Sequence, residues 1–280
     1  MASVCHGHIW SLRAWFRVCG LTDAANCYSS SFEMSYLPNY PGFVLAHPAE
    51  KAAAFAALTL VFALLGRIVR GVTTGGAVAG AAVCFALLWA VGLAGFAGLL
   101  TVFVLTWIAT RFGYKHKQRL GTAEARTGRN ALQVLANLGT SAGCAFLYST
   151  LWPDRRFLIA MAAALAEAAA DTVSSEMGQA LGGIPRLITT WKKVEPGTDG
   201  AITLAGTMDG ATAAIGVALV FALSRTLSWR SFAICAAAGV AGMIFDSLLG
   251  ATVERRRLLR NNAVNFASTI FAAALAFLLS

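Results

Sequence analysis

Residues 166–200 read AEAAADTVSSEMGQALGGIPRLITTWKKVEPGTDG, an alanine-rich apolar run that suddenly carries acids. These acids are Glu167, Asp171 and Glu176. An ionised side chain at the centre of a bilayer costs about 2.5–3.5 kcal/mol on insertion scales, so such residues usually face a protein-lined or water-filled interior. The alternative is a helix end whose acids lie in headgroup water. The pattern favours a membrane helix that carries a functional site, followed by a basic turn.

The composition excludes an ordinary soluble domain. Of the 280 residues, 58% are hydrophobic and 12% are charged, whereas soluble domains are about 45–50% apolar. A membrane-spanning helix needs about 20 mostly apolar residues. The sequence therefore predicts an all-α, polytopic integral membrane helix bundle. We expect about eight transmembrane helices, with seven possible, in one domain at 50–280; the predicted segments are residues 52–69, 72–91, 96–112, 131–151, 157–181, 203–223, 232–250 and 263–279.

The chain before this domain has a different composition. Residues 1–33 are mixed and contain no apolar run of spanning length. We expect residues 1–49 to form a poorly structured extension, and the composition break suggests a natural start at Met34.

The basic residues are distributed unevenly between the predicted loops. Loops after the first, third, fifth and seventh predicted helices carry 15 of the 22 Lys and Arg residues, and the other side carries 7. Because cytoplasmic loops are enriched in Lys and Arg, we expect a multi-pass protein whose acid-bearing motifs face the cytoplasm and whose termini are both outside.

Polar residues recur at helical spacing near that same side. Asp246 stands between Gly242 and Gly250, one helical turn from each. Magnesium prefers oxygen ligands and often takes one or two carboxylates together with phosphates and water. We predict Asp171, Glu176 and Asp246 as metal ligands, with Asp199 as a fourth acid from the loop. The asparagines Asn130, Asn137, Asn261 and Asn265 belong either to this site or to hydrogen bonds between helices.

Other kinds of chemistry find no support. Neither G-x-x-x-x-G-K-[ST] nor a G-x-G-x-x-G following a strand occurs, so standard NTPase and dinucleotide sites are not encoded. All four histidines lie outside the acid-bearing helices, which disfavours acyl transfer by a Ser-His-Asp set.

Four ordered motifs carry a family resemblance. They are AAADTVSSEMG at 168–178, PRLITTWKKVEPGTDGAITLAGT at 185–207, GMIFDSLLGATVE at 242–254 and NNAVNFAS at 261–268. The chain closely resembles, over about residues 50–280, the integral membrane family that includes transmembrane protein 19 and the chloroplast phytyl-phosphate kinase, known as domain of unknown function 92. The family usually has Gly and Trp where Ala170 and Val173 stand here, and the acids themselves are intact.

The resemblance implies an enzyme, a prenyl-phosphate kinase that uses CTP or ATP to convert an isoprenoid monophosphate into its diphosphate. It implies catalytic roles for Asp171, Glu176, Asp246 and Lys192, with Mg²⁺ on the three acids. Contacts to phosphates and substrate would then come from Lys115, Lys117, Arg126, Arg129, Asn130, Arg186, Thr189, Thr190, Lys193, Gly197, Thr198, Asp199, Gly200, Asn261, Asn262 and Asn265. The hydrocarbon tail of the isoprenoid monophosphate would lie between helices or in the inner leaflet of the bilayer.

Two other classes of function stay open. Intramembrane carboxylates beside basic loops also suit a transporter or lipid flippase for an anionic substrate. Another lipid phosphotransfer enzyme would use the same residue types. The absence of a convincing internal repeat and the location of all motifs on one side favour an enzyme. We expect the lipid bilayer, an isoprenoid monophosphate and a nucleoside triphosphate as partners, and no nucleic acid. The sequence determines neither the length of the substrate's prenyl chain nor the oligomeric state of the protein.

Overall fold

The computed structural model describes residues 48–280. The predicted extension lies outside the described residues except for Pro48 and Ala49, which begin the first helix, and Met34 lies outside them too. The helices are α1 (Pro48–Ile68), α2 (Thr74–Val91), α3 (Leu93–Arg111), α4 (Tyr114–Arg119), α5 (Ala131–Phe146), α6 (Arg155–Ala180), α7 (Leu204–Leu223), α8 (Trp229–Leu249) and α9 (Asn261–Leu279). Two short strands, β1 (Arg186–Leu187) and β2 (Ala201–Ile202), pair antiparallel between α6 and α7.

The predicted all-α membrane fold is confirmed. Within residues 48–280, seven helices are long and apolar enough to cross a membrane: α1, α2, α3, α6, α7, α8 with the turn that follows it, and α9. The chain is therefore a multi-pass integral membrane protein.

The remaining predicted segment, residues 131–151, is not one continuous α-helix. α5 has 16 residues and continues into a π-helical turn at Leu147–Leu151. The hydroxyl groups of Ser149 and Thr150 both donate to the carbonyl of Phe146, a type of side-chain bond that competes with regular helix. α5 is thus shorter than the seven spanning helices, although it packs against α2, α6 and α9.

α6 is the central helix of the bundle. Its residues from Leu158 to Ala170 are all buried, and it contacts α3, α5, α7, α8 and α9. Small residues let helix backbones approach closely in a membrane protein. A Cβ on Gly206 of α7 would lie 2.4 Å from the carbonyl oxygen of Ser174, and one on Gly210 would lie 2.6 Å from that of Ala170. The alanine-rich acid segment is therefore surrounded by protein.

The loops after α1, α3, α6 and α8 meet at one end of the bundle. Val72 pairs with Arg129 between the first two of these loops. A Cβ on Gly197 would lie 2.5 Å from the side chain of Thr122, and one on Gly200 would lie 2.2 Å from the amide nitrogen of Ala251. These contacts bring the motif-bearing loops together; the membrane face that this end occupies stays a prediction.

Candidate functional site

A polar cavity of about 300 Å³ opens at this end, and we call it the acidic cavity. Its wall is formed by the second half of α6, the PGTDG turn at 196–200, the end of α8, the start of α9 and the segment before α5. The charged residues in the wall are Glu124, Arg129, Asp171, Glu176, Asp199, Asp246 and Glu254. Six carboxyl groups thus surround one guanidinium group, an arrangement suited to binding cations.

Asp171 of α6 and Asp246 of α8 form the centre of the acidic cavity. Both are half-buried, and their carboxyl groups lie within hydrogen-bonding reach of each other. The buried hydroxyl of Ser268 on α9 donates to Oδ2 of Asp246 at 3.1 Å. Two carboxylates this close repel each other unless a proton or a cation lies between them. The pair has the donor chemistry that Mg²⁺ requires, because that ion is commonly held by one or two carboxylates together with phosphate oxygens and water.

Glu176 is already paired. It accepts a hydrogen bond and salt bridge from Nζ of Lys117, whose side chain is fully buried. Lys117 also donates to the carbonyl oxygens of Ala109 at 2.9 Å and Thr110 at 2.8 Å. An ammonium group has three hydrogens to donate, so Lys117 has none left for a phosphate. The structure gives this pair a role in fixing the end of α3 against α6, which differs from the sequence-based assignment of both residues.

The predicted metal site of three carboxylates is not preformed. Within the described residues, no three His, Cys, Asp or Glu side chains are grouped so that they hold a metal ion. The reason is the position of Glu176, which is five residues from Asp171 and is therefore rotated from it by about 140° on the helix. Asp171 and Asp246 remain as the carboxylate pair.

Arg129 supplies the one cationic side chain in the described wall of the acidic cavity. Its Nη2 donates to Oγ1 of Thr172 at 3.2 Å, beside Asp171 on α6. Its backbone is fixed on both sides, since its N–H donates to the carbonyl of Gly71 at 3.0 Å and its carbonyl accepts from Thr73 at 2.9 Å. The guanidinium is therefore held next to the acid pair.

The PGTDG turn brings a second pair of acids to the wall. Gly197, Thr198, Asp199 and Gly200 all line the acidic cavity. Gly200 packs against the π-helical turn Gly250–Glu254, and only a residue without a side chain fits there, with φ at +72°. As a result Asp199 lies close enough to Glu254 for their carboxyl groups to repel each other.

The asparagines divide between the two roles that the sequence left open. Asn261 and Asn265 line the acidic cavity, and Nδ2 of Asn265 also donates to Oδ1 of Asn137 at 3.3 Å, joining α9 to α5. Asn130 caps α5, where its side chain and that of Gln133 each accept the other's backbone N–H. Asn262 is half-buried and outside the wall.

Several predicted phosphate ligands stand outside the acidic cavity. Thr189, Thr190, Lys192 and Lys193 are exposed on the hairpin between β1 and β2, and Arg186 donates to the carbonyl of Trp191 at 2.8 Å. The structure does not bring these five side chains to the acid pair. Lys115 and Arg126 instead line a neighbouring, mainly apolar cavity of about 450 Å³, which we call the apolar cavity.

Sequence analysis missed three polar residues of the site, Glu124, Glu254 and Ser268. Glu124 accepts from Nε2 of Gln133 at 2.9 Å, and both line the acidic cavity together with Glu254. Ser268 holds Asp246. Glu254 and Ser268 end two of the four motifs, so their position was an available signal, whereas Glu124 lies outside all four motifs. Glu167, by contrast, is fully buried behind the wall, and its Oε1 has no hydrogen-bond partner among residues 48–280.

Known proteins resemble the chain along most of its length. Residues 57–273 match the family described as integral membrane protein DUF92. The uncharacterized membrane protein MJ0933 of Methanocaldococcus jannaschii is 34% identical over 220 residues, which cover 78% of this chain and 90% of that protein. Protein VTE6, chloroplastic, of Arabidopsis thaliana is 29% identical over 246 residues, which cover 84% of this chain and 73% of that protein.

A third protein, from Synechocystis, is also similar to the chain over most of its length. The uncharacterized membrane protein sll0875 of Synechocystis is 30% identical over 199 residues, covering 68% of this chain and 76% of that protein. No solved structure matches the chain significantly. Because the family match spans most of the sequence and includes all four motifs, the chain belongs to the integral membrane protein family DUF92.

Proposed function

We propose that this protein is a membrane prenyl-phosphate kinase, which transfers a phosphoryl group from CTP or ATP to an isoprenoid monophosphate and forms the diphosphate. The observation that carries the proposal is the meeting of two cavities at Arg129, one acidic and one mainly apolar. The four motifs resemble the family that includes the chloroplast phytyl-phosphate kinase, and this resemblance supports the same activity; the match of residues 57–273 to the DUF92 family agrees with it.

Asp171 and Asp246 would hold Mg²⁺, with Asp199 and Glu254 adding negative charge beside them. When bound, the cation would neutralise the charge of the donor phosphates, which is the main requirement of phosphoryl transfer. Ser268 orients Asp246 through its hydrogen bond. Thr198 and Gly197 of the turn, together with Asn261, lie where they would contact the donor nucleotide.

Arg129 binds the acceptor phosphate in this proposal. Its guanidinium is held beside the acid pair by its bond to Thr172, and a planar guanidinium matches two phosphate oxygens at once. A monophosphate ester is already an anion, so the reaction needs no strong general base. The exposed Lys192 and Lys193 then act at a distance, by attracting the anionic nucleotide to this end of the bundle.

The interior of the bundle favours an enzyme over a carrier. A transporter needs a polar path through the membrane to its binding site. Residues 158–166 of α6, between the acids and the far end of the bundle, are apolar and buried. Beyond Glu167, the central helix therefore continues with packed apolar residues and not with polar groups.

The test uses purified protein with Mg²⁺, CTP or ATP, and farnesyl or geranylgeranyl monophosphate, with the diphosphate measured by mass spectrometry. Asp171→Asn removes one acid of the pair, and Asp209→Asn is the matched control, because Asp209 is half-buried on α7 and outside both cavity walls. We expect diphosphate from the native protein and from Asp209→Asn only. No diphosphate from folded native protein with either donor would instead support the carrier.

A further inference from the structure

The apolar cavity lies between α1, α2, α3 and α5 and reaches from the motif-bearing end into the bundle. Its interior is lined by Phe62, Leu99, Val102, Phe103 and Leu138. A volume of about 450 Å³ falls within the usual range of ligand pockets, about 300–1,000 Å³. The cavity is thus large enough for a molecule and apolar enough for a hydrocarbon.

One end of the apolar cavity is basic. Arg70, Arg111, Lys115, Arg126 and Arg129 all contribute to its wall there. A ligand that fits this distribution has a negatively charged head and an uncharged, apolar remainder. Free nucleotides do not have this form, since their polar sugar and base would lie against phenylalanine and leucine.

The basic end is continuous with the acidic cavity. Glu124 and Arg129 belong to both walls, and the guanidinium of Arg129 reaches Thr172 beside Asp171. A phosphate held by Arg129 would face the acid pair, while a chain attached to it would point into the apolar cavity.

Glycines of α2 create the space. Gly76 packs against the carbonyl oxygen of Arg129, from which a Cβ would lie only 2.2 Å away, so it brings α2 to the junction. Gly80, one turn further along the same helix, also lines the cavity, and a Cβ there would have no atom of the described residues within 4 Å. A side chain at position 80 would therefore enter the cavity without displacing the described part of the protein.

We propose that the apolar cavity holds the hydrocarbon tail of the phosphorylated substrate and that the open position at Gly80 sets the longest chain accepted. This inference rests on the proposed function and extends it from the reaction to the substrate class. A longer tail buries more apolar surface in the cavity, so the cavity selects long-chain monophosphates. Arg129 anchors the head, and the length of chain beyond it determines whether residue 80 is reached.

The test compares Gly80→Leu with Gly143→Leu. Gly143 is a matched control, because it is a helical glycine of α5 with no atom within 4 Å of an added Cβ and it lines neither cavity. Leucine is a better helix former than glycine, so both variants should fold, which thermal unfolding in detergent will check. The substrates are geranyl, farnesyl and geranylgeranyl monophosphate with Mg²⁺ and the preferred nucleotide.

We expect Gly80→Leu to lower kcat/KM for the longest chain at least about tenfold relative to the shortest, since even one methylene that a pocket cannot hold is worth about 10–200-fold. Gly143→Leu should keep the native ratio. An unchanged ratio in Gly80→Leu, from a native protein that makes diphosphate, would overturn the tail site and leave the kinase standing.

Binding separates the two proposals if turnover fails. Isothermal titration of geranylgeranyl monophosphate should show binding to the native protein and to Gly143→Leu, and at least about tenfold weaker binding to Gly80→Leu. Weaker binding to Gly80→Leu in a protein that shows no turnover would support the tail site and contradict the proposed kinase activity. Equal binding to both variants, or native mass spectra showing a bilayer lipid that geranylgeranyl monophosphate does not displace, would overturn the tail site.

Discussion

The guanidinium of Arg129 donates to the hydroxyl of Thr172 at 3.2 Å, although the two residues belong to different segments of the bundle. Thr172 is the neighbour of Asp171 on the central helix, so this bond places a positive charge at the edge of the acid pair. It also marks the point where the acidic and apolar cavities share a wall. The proposed positions of both phosphates depend on this junction.

Removing the guanidinium should abolish most of the activity. Arg129→Gln is expected to lower kcat/KM by about 100-fold or more, which is typical for losing one group that stabilises developing charge. Arg129→Lys should recover only part, because lysine cannot contact two phosphate oxygens with one planar group. Steady-state kinetics of prenyl diphosphate formation measure both. Arg186→Gln is the control, and an equal loss there would place the phosphate on the hairpin instead.

Lys117 should prove essential for stability. Lys117→Met leaves Glu176 buried without its partner, which typically costs about 3–5 kcal/mol. Adding Glu176→Gln should restore part of the loss, because the uncompensated charge is then gone. Unfolding in detergent with increasing SDS measures the three proteins. If Lys117→Met is as stable as the native protein but inactive, Lys117 binds phosphate and does not stabilise the fold.

Two adjacent glycines should respond differently to the same small change. Gly76→Ala would put a Cβ 2.2 Å from the carbonyl oxygen of Arg129, so we expect a displaced Arg129 segment and a loss of both activity and stability. Gly75→Ala would meet the side chains of Ala131 at 3.6 Å and Thr73 at 4.0 Å, both ordinary contacts, and should be close to neutral. Steady-state kinetics and thermal unfolding of both variants measure activity and stability. Equal activity and stability of the two variants would show that the segment around Arg129 can shift freely.

The orientation predicted from the basic loops can be measured directly. Lys193→Cys lies on the exposed hairpin, which follows the C-terminal end of α6. Arg156→Cys lies at the exposed N-terminal end of the same helix. In sealed right-side-out vesicles, a membrane-impermeant maleimide should label position 156 at once and position 193 only after permeabilisation. The reverse pattern would place the acidic cavity outside the cell.

The spanning helices were predictable because hydropathy alone identifies apolar runs of sufficient length. α5 shows the limit. Residues 131–151 have enough apolar residues, but the hydroxyl groups of Ser149 and Thr150 bond back to Phe146 and the chain widens into a π-helical turn. Hydropathy contains no information on hydrogen bonds from side chains that compete with the regular helix.

The acid pair was also predictable, since Asp171 and Asp246 are carboxylates in otherwise apolar helices. The partner of Glu176 was not, because Lys117 is 59 residues away and reaches it only through the packing of α4 on α6. Helix geometry held a partial signal, as Glu176 does not share a face with Asp171. The exposure of Lys192 and Lys193 depends on the register of a two-residue strand pair, which composition does not reveal.

The most direct test of the central claim follows the phosphoryl group itself. Purified protein is incubated with geranylgeranyl monophosphate, Mg²⁺ and CTP or ATP labelled with ¹⁸O in the γ-phosphate, and the product is analysed by mass spectrometry. The kinase account predicts that the label appears in the terminal phosphate of geranylgeranyl diphosphate, and that Asp246→Asn abolishes this transfer. Label released only as free phosphate, with the monophosphate unchanged, would contradict it.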